Sequence, residues 1–216
     1  MKILSTTKQI EAYIKERILN QELQPGDVIK EVELAQKLDL SRSPIREALF
    51  QLRSEGLLTF ESKRKKCITK LSRKDIEDSY ESAGFIEGSI VSSTIHLFTQ
   101  KDFQKIKNIT LQFLDADYND NGRTVFFDID DQFHKYLMSK SSNDILKNMH
   151  RRSCHNISKL LLCSVWPKAF TRQEMYDRHR LIVSQLETKD RFLVEEALHK
   201  HYFDTGCRMI ETANIV

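Results

Sequence analysis

Chain-breaking residues are scarce in this protein: its 216 residues include six glycines and three prolines. With 40% hydrophobic and 30% charged residues interleaved, that scarcity favours a mainly helical chain of one or two domains. Long apolar runs are missing as well. No stretch approaches the roughly 18 residues that a membrane-spanning helix needs, so no membrane partner is expected. The opening MKILSTTKQIEAYIKER turns charged too early for a secretory signal. Cysteine is sparse, and Cys67, Cys154, Cys163 and Cys207 form no CxxC or other close pairing. That pattern argues against a disulfide framework or zinc cluster and for reduced thiols in the cytoplasm. What the chain does have is charge, unevenly placed. Residues 1–70 carry 14 Lys and Arg against 10 Asp and Glu, and the remainder 20 against 21, within a net charge of +3. Any polyanionic partner is therefore expected at the N-terminal end.

Residues 2–70 read as one domain. In TKQIEAYIKERILNQEL, Ile10, Tyr13, Ile14, Ile18 and Leu19 recur at helical spacing. Pro25-Gly26 marks a turn. The short helix EVELAQKL follows, then the break DLS, then SRSPIREALFQLRSEGLL. Ser43 is placed to cap that last helix, Pro44 suits its first turn and Gly56 its exit. Two short helices joined by a tight turn make a helix-turn-helix. The runs LLTFES and KCITKL then read as two strands of a hairpin wing around KRKK; the alternative is a small helical packing module. Arg42 and Arg46 crowd a helix start that is already positive, a placement disfavoured by about 0.3–1 kcal/mol unless something anionic receives them. An internal receiver would be Glu47 or Glu55.

The series LQPGDVIKEVELAQKLDLSRSPIREALFQLRSEGLL resembles the winged-helix DNA-binding domain of the GntR family of bacterial transcription regulators. The resemblance rests on Leu23, Pro25, Gly26, Glu31, Leu34, Ala35, Leu38, Ser41, Arg42, Pro44, Arg46, Glu47, Ala48, Leu49, Leu52, Glu55 and Gly56. It implies a recognition helix entering the major groove of double-stranded DNA N-terminus first. Arg42 and Arg46 would reach base edges, guanine above all, where one forked pair discriminates by about 1–3 kcal/mol. Ser41 and Ser43 would bond phosphates or cap the helix. Lys63, Arg64, Lys65 and Lys66 on the wing would meet further phosphates. Two positions depart from the family: Lys65 stands where relatives have the wing-tip glycine, and Val32 where some have a DNA-contacting arginine.

Residues 73–213 read as a second, all-helical domain of about six helices, over 73–99, 101–118, 123–140, 143–165, 171–187 and 190–212. Ser72 with Asp75, Thr99 with Asp102 and Thr171 with Glu174 carry the spacing of helix starts. In FFDIDDQFHKYLM, Asp130 and His134 lie four apart, flanked by Phe126, Phe127, Phe133 and Leu137, so the pair is expected to face inward. His179 shares a stripe with Met175, Ile182, Val183 and Leu186, and His201 with Val194, Ala197 and Leu198. His199 points the opposite way, towards Glu195 and Glu196. His96, His150, His155 and His199 are not expected as ligands. A lone inward histidine is commonly a hydrogen-bonded core residue, whereas three imidazoles and a carboxylate from facing helices can bind a divalent metal.

The spacing DxxxH…H…H resembles the metal-binding version of the FCD domain, the helical ligand domain of FadR-type regulators. By that resemblance Asp130, His134, His179 and His201 are the metal ligands. Nitrogen-rich donors favour Zn²⁺ or Ni²⁺ over Mn²⁺. The resemblance further implies a homodimeric repressor on a two-fold operator, its binding modulated by a small organic-acid or sugar-acid effector. Relatives commonly pair such an acid with an arginine of the domain's first helix. Ala83 stands at that position here while Glu87 is retained, so Glu87, Arg151 and Arg152 are the remaining effector candidates. Two alternatives differ in class: a sensor in which the metal itself is the signal, and a metallohydrolase fused to a DNA-binding domain, which lacks an evident spare general base beyond Glu87.

Overall fold

The computed structural model describes residues 5–62, 65–116, 125–155 and 160–215. The chain sorts into two compact units, Met1–Leu71 with Asn156–Cys163, and Ser72–His155 with Ser164–Val216.

In the first unit, Ser5 opens α1 (Thr6–Leu19) by accepting from the Lys8 amide, and Ile10, Ile14 and Ile18 form its buried stripe. Helix α2 (Glu31–Leu38) ends where Asp39 turns left-handed at φ 52°. Helix α3 (Arg42–Ser54) follows after a short turn and buries Ile45, Ala48, Leu49 and Leu52. Its N-cap is Ser41, whose side chain makes no capping bond. Ser43, expected as the cap, lies inside the first turn, because the helix starts one residue ahead of it. Gly56 follows the helix at φ 79°, in the left-handed region that glycine tolerates. Strands β1 (Leu58–Phe60) and β2 (Lys66–Ile68) pair antiparallel with Leu58 opposite Ile68 and Phe60 opposite Lys66, as the wing was expected to. Leu160 and Leu161 are buried in this unit's core with Ile14, Leu49 and Leu58, and the Cys163 thiol lies 3.9 Å from the Ile18 carbonyl.

The second unit contains, among the described residues, α4 (Arg73–Thr94), α5 (Gln100–Asp115), α6 (Val125–Leu137), α7 (Asp144–His150), α8 (Trp166–Ala169), α9 (Arg172–Thr188) and α10 (Arg191–Ala213). All three expected helix starts, at Ser72, Thr99 and Thr171, form capping boxes. Helices α4 and α10 lie backbone to backbone: a Cβ added at Gly84 would sit 3.1 Å from Tyr202 Cβ, and one at Gly206 3.0 Å from Tyr80 Cβ. Of the single helix expected over 143–165, Asp144–His155 is helical, changing from α to π after His150, residues 156–159 lie outside the described residues, and turns follow from residue 162. Leu160 and Leu161 belong to the first unit's core. The stretch WPKAF, expected as a break, contains the one-turn helix α8. The chain is mainly helical, as its composition indicated, with the two-stranded wing expected from LLTFES and KCITKL. No described helix is long and apolar enough to cross a membrane.

Candidate nucleic-acid interface and metal centre

The start of α3 presents Arg42 and Arg46 to solvent, with side chains 59% and 56% exposed. Both guanidinium groups stand near one carboxylate oxygen of Glu31, at 3.5 and 3.6 Å. That carboxylate is nearly buried, and its other oxygen accepts from Lys66 Nζ at 2.7 Å. The Lys66 bond and the nearby arginines hold Glu31 below the usual carboxylate range, against the opposing effect of its own burial. One negative charge facing three cations leaves a local excess of two. The arginines are therefore held in place rather than neutralised. Of the internal receivers expected for Arg46, Glu47 accepts from Thr7 and Glu55 pairs with Lys15. Arg53 lies over the Phe60 ring at 4.8 Å and joins Arg42, Arg46 and Lys66 around a cleft of about 560 Å³. Ser41 and Ser43 are exposed.

The wing cations divide. Lys65 is exposed and bonded to Glu61 at 2.6 Å. Lys66 faces inward and is buried, so it braces Glu31 instead of projecting to a partner. Lys63 and Arg64 lie outside the described residues.

In the second unit, Asp130 and His134 on α6, His179 on α9 and His201 on α10 converge, with one donor atom from each lying within 4.8 Å of the others. Helical period accounts for this. Asp130 and His134 are one turn apart, His179 lies on the face carrying Met175, Ile182, Val183 and Leu186, and the α10 face of Val194 and Leu198 carries His201 inward. Asp130 Oδ1 stands 3.2 Å from His179 Nε2 and 3.6 Å from His134 Nε2. The far side of each of those two rings is also committed. His134 Nδ1 meets Glu87 at 2.8 Å, and His179 Nδ1 meets the Met175 carbonyl at 2.7 Å. Orientation of Nε2 towards the centre by a bond at Nδ1 is the arrangement that metal-ligating imidazoles use.

The charges point the same way. Burial opposes a cationic His134, yet Glu87 and Asp130 together draw its pKa up to about 10. His179 and His201 are pushed down by burial. Asp130, with Glu87 behind His134, thus brings carboxylate charge to a buried group of imidazoles, a setting that suits a divalent cation. Four donors of this kind fit a metal, which would supply a Lewis acid there.

Glu87 is fully buried at the centre of a second layer. Its carboxylate accepts from Tyr202 at 2.6 Å and stands 3.0 Å from His150 Nε2, besides its bond to His134. Burial works to raise Glu87, but His134 and His150 bring it down to about 2. Tyr202 and His150 were not singled out from the sequence; Tyr202 sits beside His201, and nothing in the linear pattern announces a partner 115 residues away. Arg151 and Arg152 are exposed, and Arg151 donates to Asn148. His199 stacks on Phe85 at 4.2 Å, outside the cluster.

The family model for bacterial regulatory proteins of the gntR family matches residues 6–65, and the FCD domain model matches residues 78–204. The chain belongs to the GntR family, with an FCD domain. This regulator is 29% identical over 162 residues to an Nta operon transcriptional regulator of Aminobacter aminovorans, covering 75% of the chain and 74% of the relative. It is 23% identical over 207 residues to the gluconate operon transcriptional repressor of Bacillus subtilis (strain 168), covering 93% and 83%. The solved structure of E. coli McbR/YncC shares the fold at a TM-score of 0.70 with 16% identity, covering 98% of the regulator and 100% of that chain. The relatives are transcriptional regulators and not enzymes, and so the metallohydrolase alternative falls.

Proposed function

We propose that this regulator is a cytoplasmic homodimeric repressor that reads a two-fold operator through Arg42 and Arg46, and whose affinity for it is set by a small organic-acid or sugar-acid effector. Asp130, His134, His179 and His201 hold Zn²⁺ or Ni²⁺, with Mn²⁺ less favoured, and the metal helps to retain the effector. Glu87 fixes the His134 ring rather than meeting the effector. Ser41, Ser43 and Lys65 bond phosphates beside the arginines. The observation that carries the reading is the presence in one chain of two exposed arginines at a helix start and a buried His₃Asp cluster. An effector acts by binding two arrangements of the protein with different affinity.

The test combines native mass and elemental analysis of freshly purified protein with selection of duplexes from a random pool. A dimer with about one bound metal per chain and an enriched two-fold sequence is the expected result. Selected-duplex affinity is then measured with and without chelator. An affinity that follows metal alone and ignores every acid supplied would make the metal the signal. A monomer without metal and without sequence enrichment would overturn the reading.

A further inference from the structure

Positions 42, 46, 50 and 53 are spaced four, four and three apart, so Arg42, Arg46, Phe50 and Arg53 fall on one face of α3. The two further from the helix start have no part in the reading above. Phe50 is 51% exposed, unlike the apolar residues that α3 buries. Its ring centroid lies 5.3 Å from that of Phe60 on β1. Arg53 lies over the Phe60 ring at 4.8 Å and makes no ion pair among the described residues. Its acidic neighbours along the chain, Glu55 and Glu61, are paired with Lys15 and Lys65. Lys66 Nζ also stands 5.1 Å from the Phe60 ring, but its charge is committed to Glu31. All of these but the two pairs line the cleft between α3 and the wing, where four cations face the single carboxylate of Glu31.

A helix with its side chains is about 10–12 Å across and the major groove about 12 Å wide. A helix seated there therefore meets the groove's walls, which are the sugar–phosphate strands. The groove is about 8.5 Å deep, whereas Phe50 and Arg53 stand about 12 and 16 Å further along the axis than Arg42 at the helical rise. Entry N-terminus first thus brings base edges to Arg42 and Arg46, and the rim of the groove to Phe50 and Arg53. A strand at that rim alternates anionic phosphates with apolar deoxyribose faces. The cleft offers the matching pair, a guanidinium beside two aromatic rings. A guanidinium laid over a ring keeps its in-plane N–H groups for a phosphate. We propose that the cleft between α3 and the wing clamps one sugar–phosphate strand, with Arg53 on a phosphate and Phe50 on the neighbouring deoxyribose. These contacts add affinity and fix register without reading sequence. The clamp rests on the operator reading above and adds two residues which that reading does not use.

The test titrates the full-length protein against the duplex enriched from a random pool and against an unrelated duplex. It adds copies of the enriched duplex that each carry one uncharged methylphosphonate. Fluorescence anisotropy over a range of salt reads the affinity. Arg53→Gln should weaken both natural duplexes alike, by about tenfold for one lost charge-assisted bond, and flatten the salt dependence by about 0.9 log units. Neutralising one particular phosphate should weaken the wild type and leave Arg53→Gln where it was. Phe50→Ala should weaken both duplexes alike, by about threefold from lost apolar contact, with its salt slope unchanged. Both side chains are exposed, so both variants should fold, which thermal melts check. Wild-type affinity and slope in Arg53→Gln would overturn the clamp, as would methylphosphonate effects that all persist in that variant. A changed enriched sequence in Phe50→Ala would make the ring a base reader and overturn its part. The operator reading fails by a different result, a wild type that enriches no sequence or an Arg46→Ala protein with its selectivity intact. Selectivity that depends on Arg46 while Arg53→Gln is silent sinks the clamp alone, and a wild type that binds no duplex sinks both.

Discussion

Glu31 accepts from buried Lys66 through one oxygen while two exposed arginines stand 3.5 and 3.6 Å from the other, so its charge holds both arginines to one place. Glu31→Gln should bind random duplexes more tightly, with a salt dependence steeper by up to about 0.9 log units for each additional phosphate neutralised. Enrichment of a preferred sequence should fall at the same time. Unchanged selectivity in a random-pool selection would show that Glu31 only supports the fold. Arg46→Ala should also lose sequence preference, but without the gain on random duplexes, so that only weak, salt-sensitive binding persists. In the second unit, His134→Ala should strip metal from the purified protein by elemental analysis, whereas His199→Ala, which removes a ring stacked on Phe85, should leave it. The choice of His201 over His199 was legible from helical period alone, since two residues along a helix is a rotation of more than half a turn. The ties of Glu31 to Lys66 and of Glu87 to Tyr202 were not, because no local pattern encodes which distant side chain a carboxylate will meet.

At the scale of single elements, Asp102 joins three jobs at the start of α5. It closes the capping box with Thr99, accepts from Tyr136 at 2.6 Å and pairs with Lys140 at 2.8 Å. Lys140 and Tyr136 hold its carboxyl well below the usual range. A depressed folded-state pKa stabilises above the ordinary aspartate range and ceases to as pH falls through it. Asp102→Ala should therefore cost about 1–3 kcal/mol at pH 7, from the lost cap and bonds. The deficit should shrink in melts at about pH 2, below the ordinary aspartate range. The close approach of α4 and α10 makes a second prediction: Gly206→Ala drives a methyl to 3.0 Å from Tyr80 Cβ, and overpacking of this kind costs about 1–3 kcal/mol. Lower melting temperature and lower metal retention should appear together, since His201 and Tyr202 ride on the displaced helix. The capping boxes were readable because each is written within four residues. The change from α to π after His150 was not: residues 143–166 contain no glycine or proline, and Leu160 and Leu161 fit a helical stripe until a different core claims them.

For the molecule as a whole, those two leucines make the winged-helix unit depend on sequence that lies far beyond it. A fragment ending at Leu71 would leave the core of Ile14, Leu49 and Leu58 without Leu160 and Leu161. Each buried leucine contributes about 1.5–3 kcal/mol, so the fragment should melt well below the same unit in the full chain, by circular dichroism. Identical melts would show the leucines to be passengers. The consequence reaches into ancestry. Two cassettes joined end to end can be swapped at one seam, and this pair cannot. A recombinant that kept its reader but took another chain's receiver would also need a matching patch from the middle of the receiver, which ties the inheritance of the halves together.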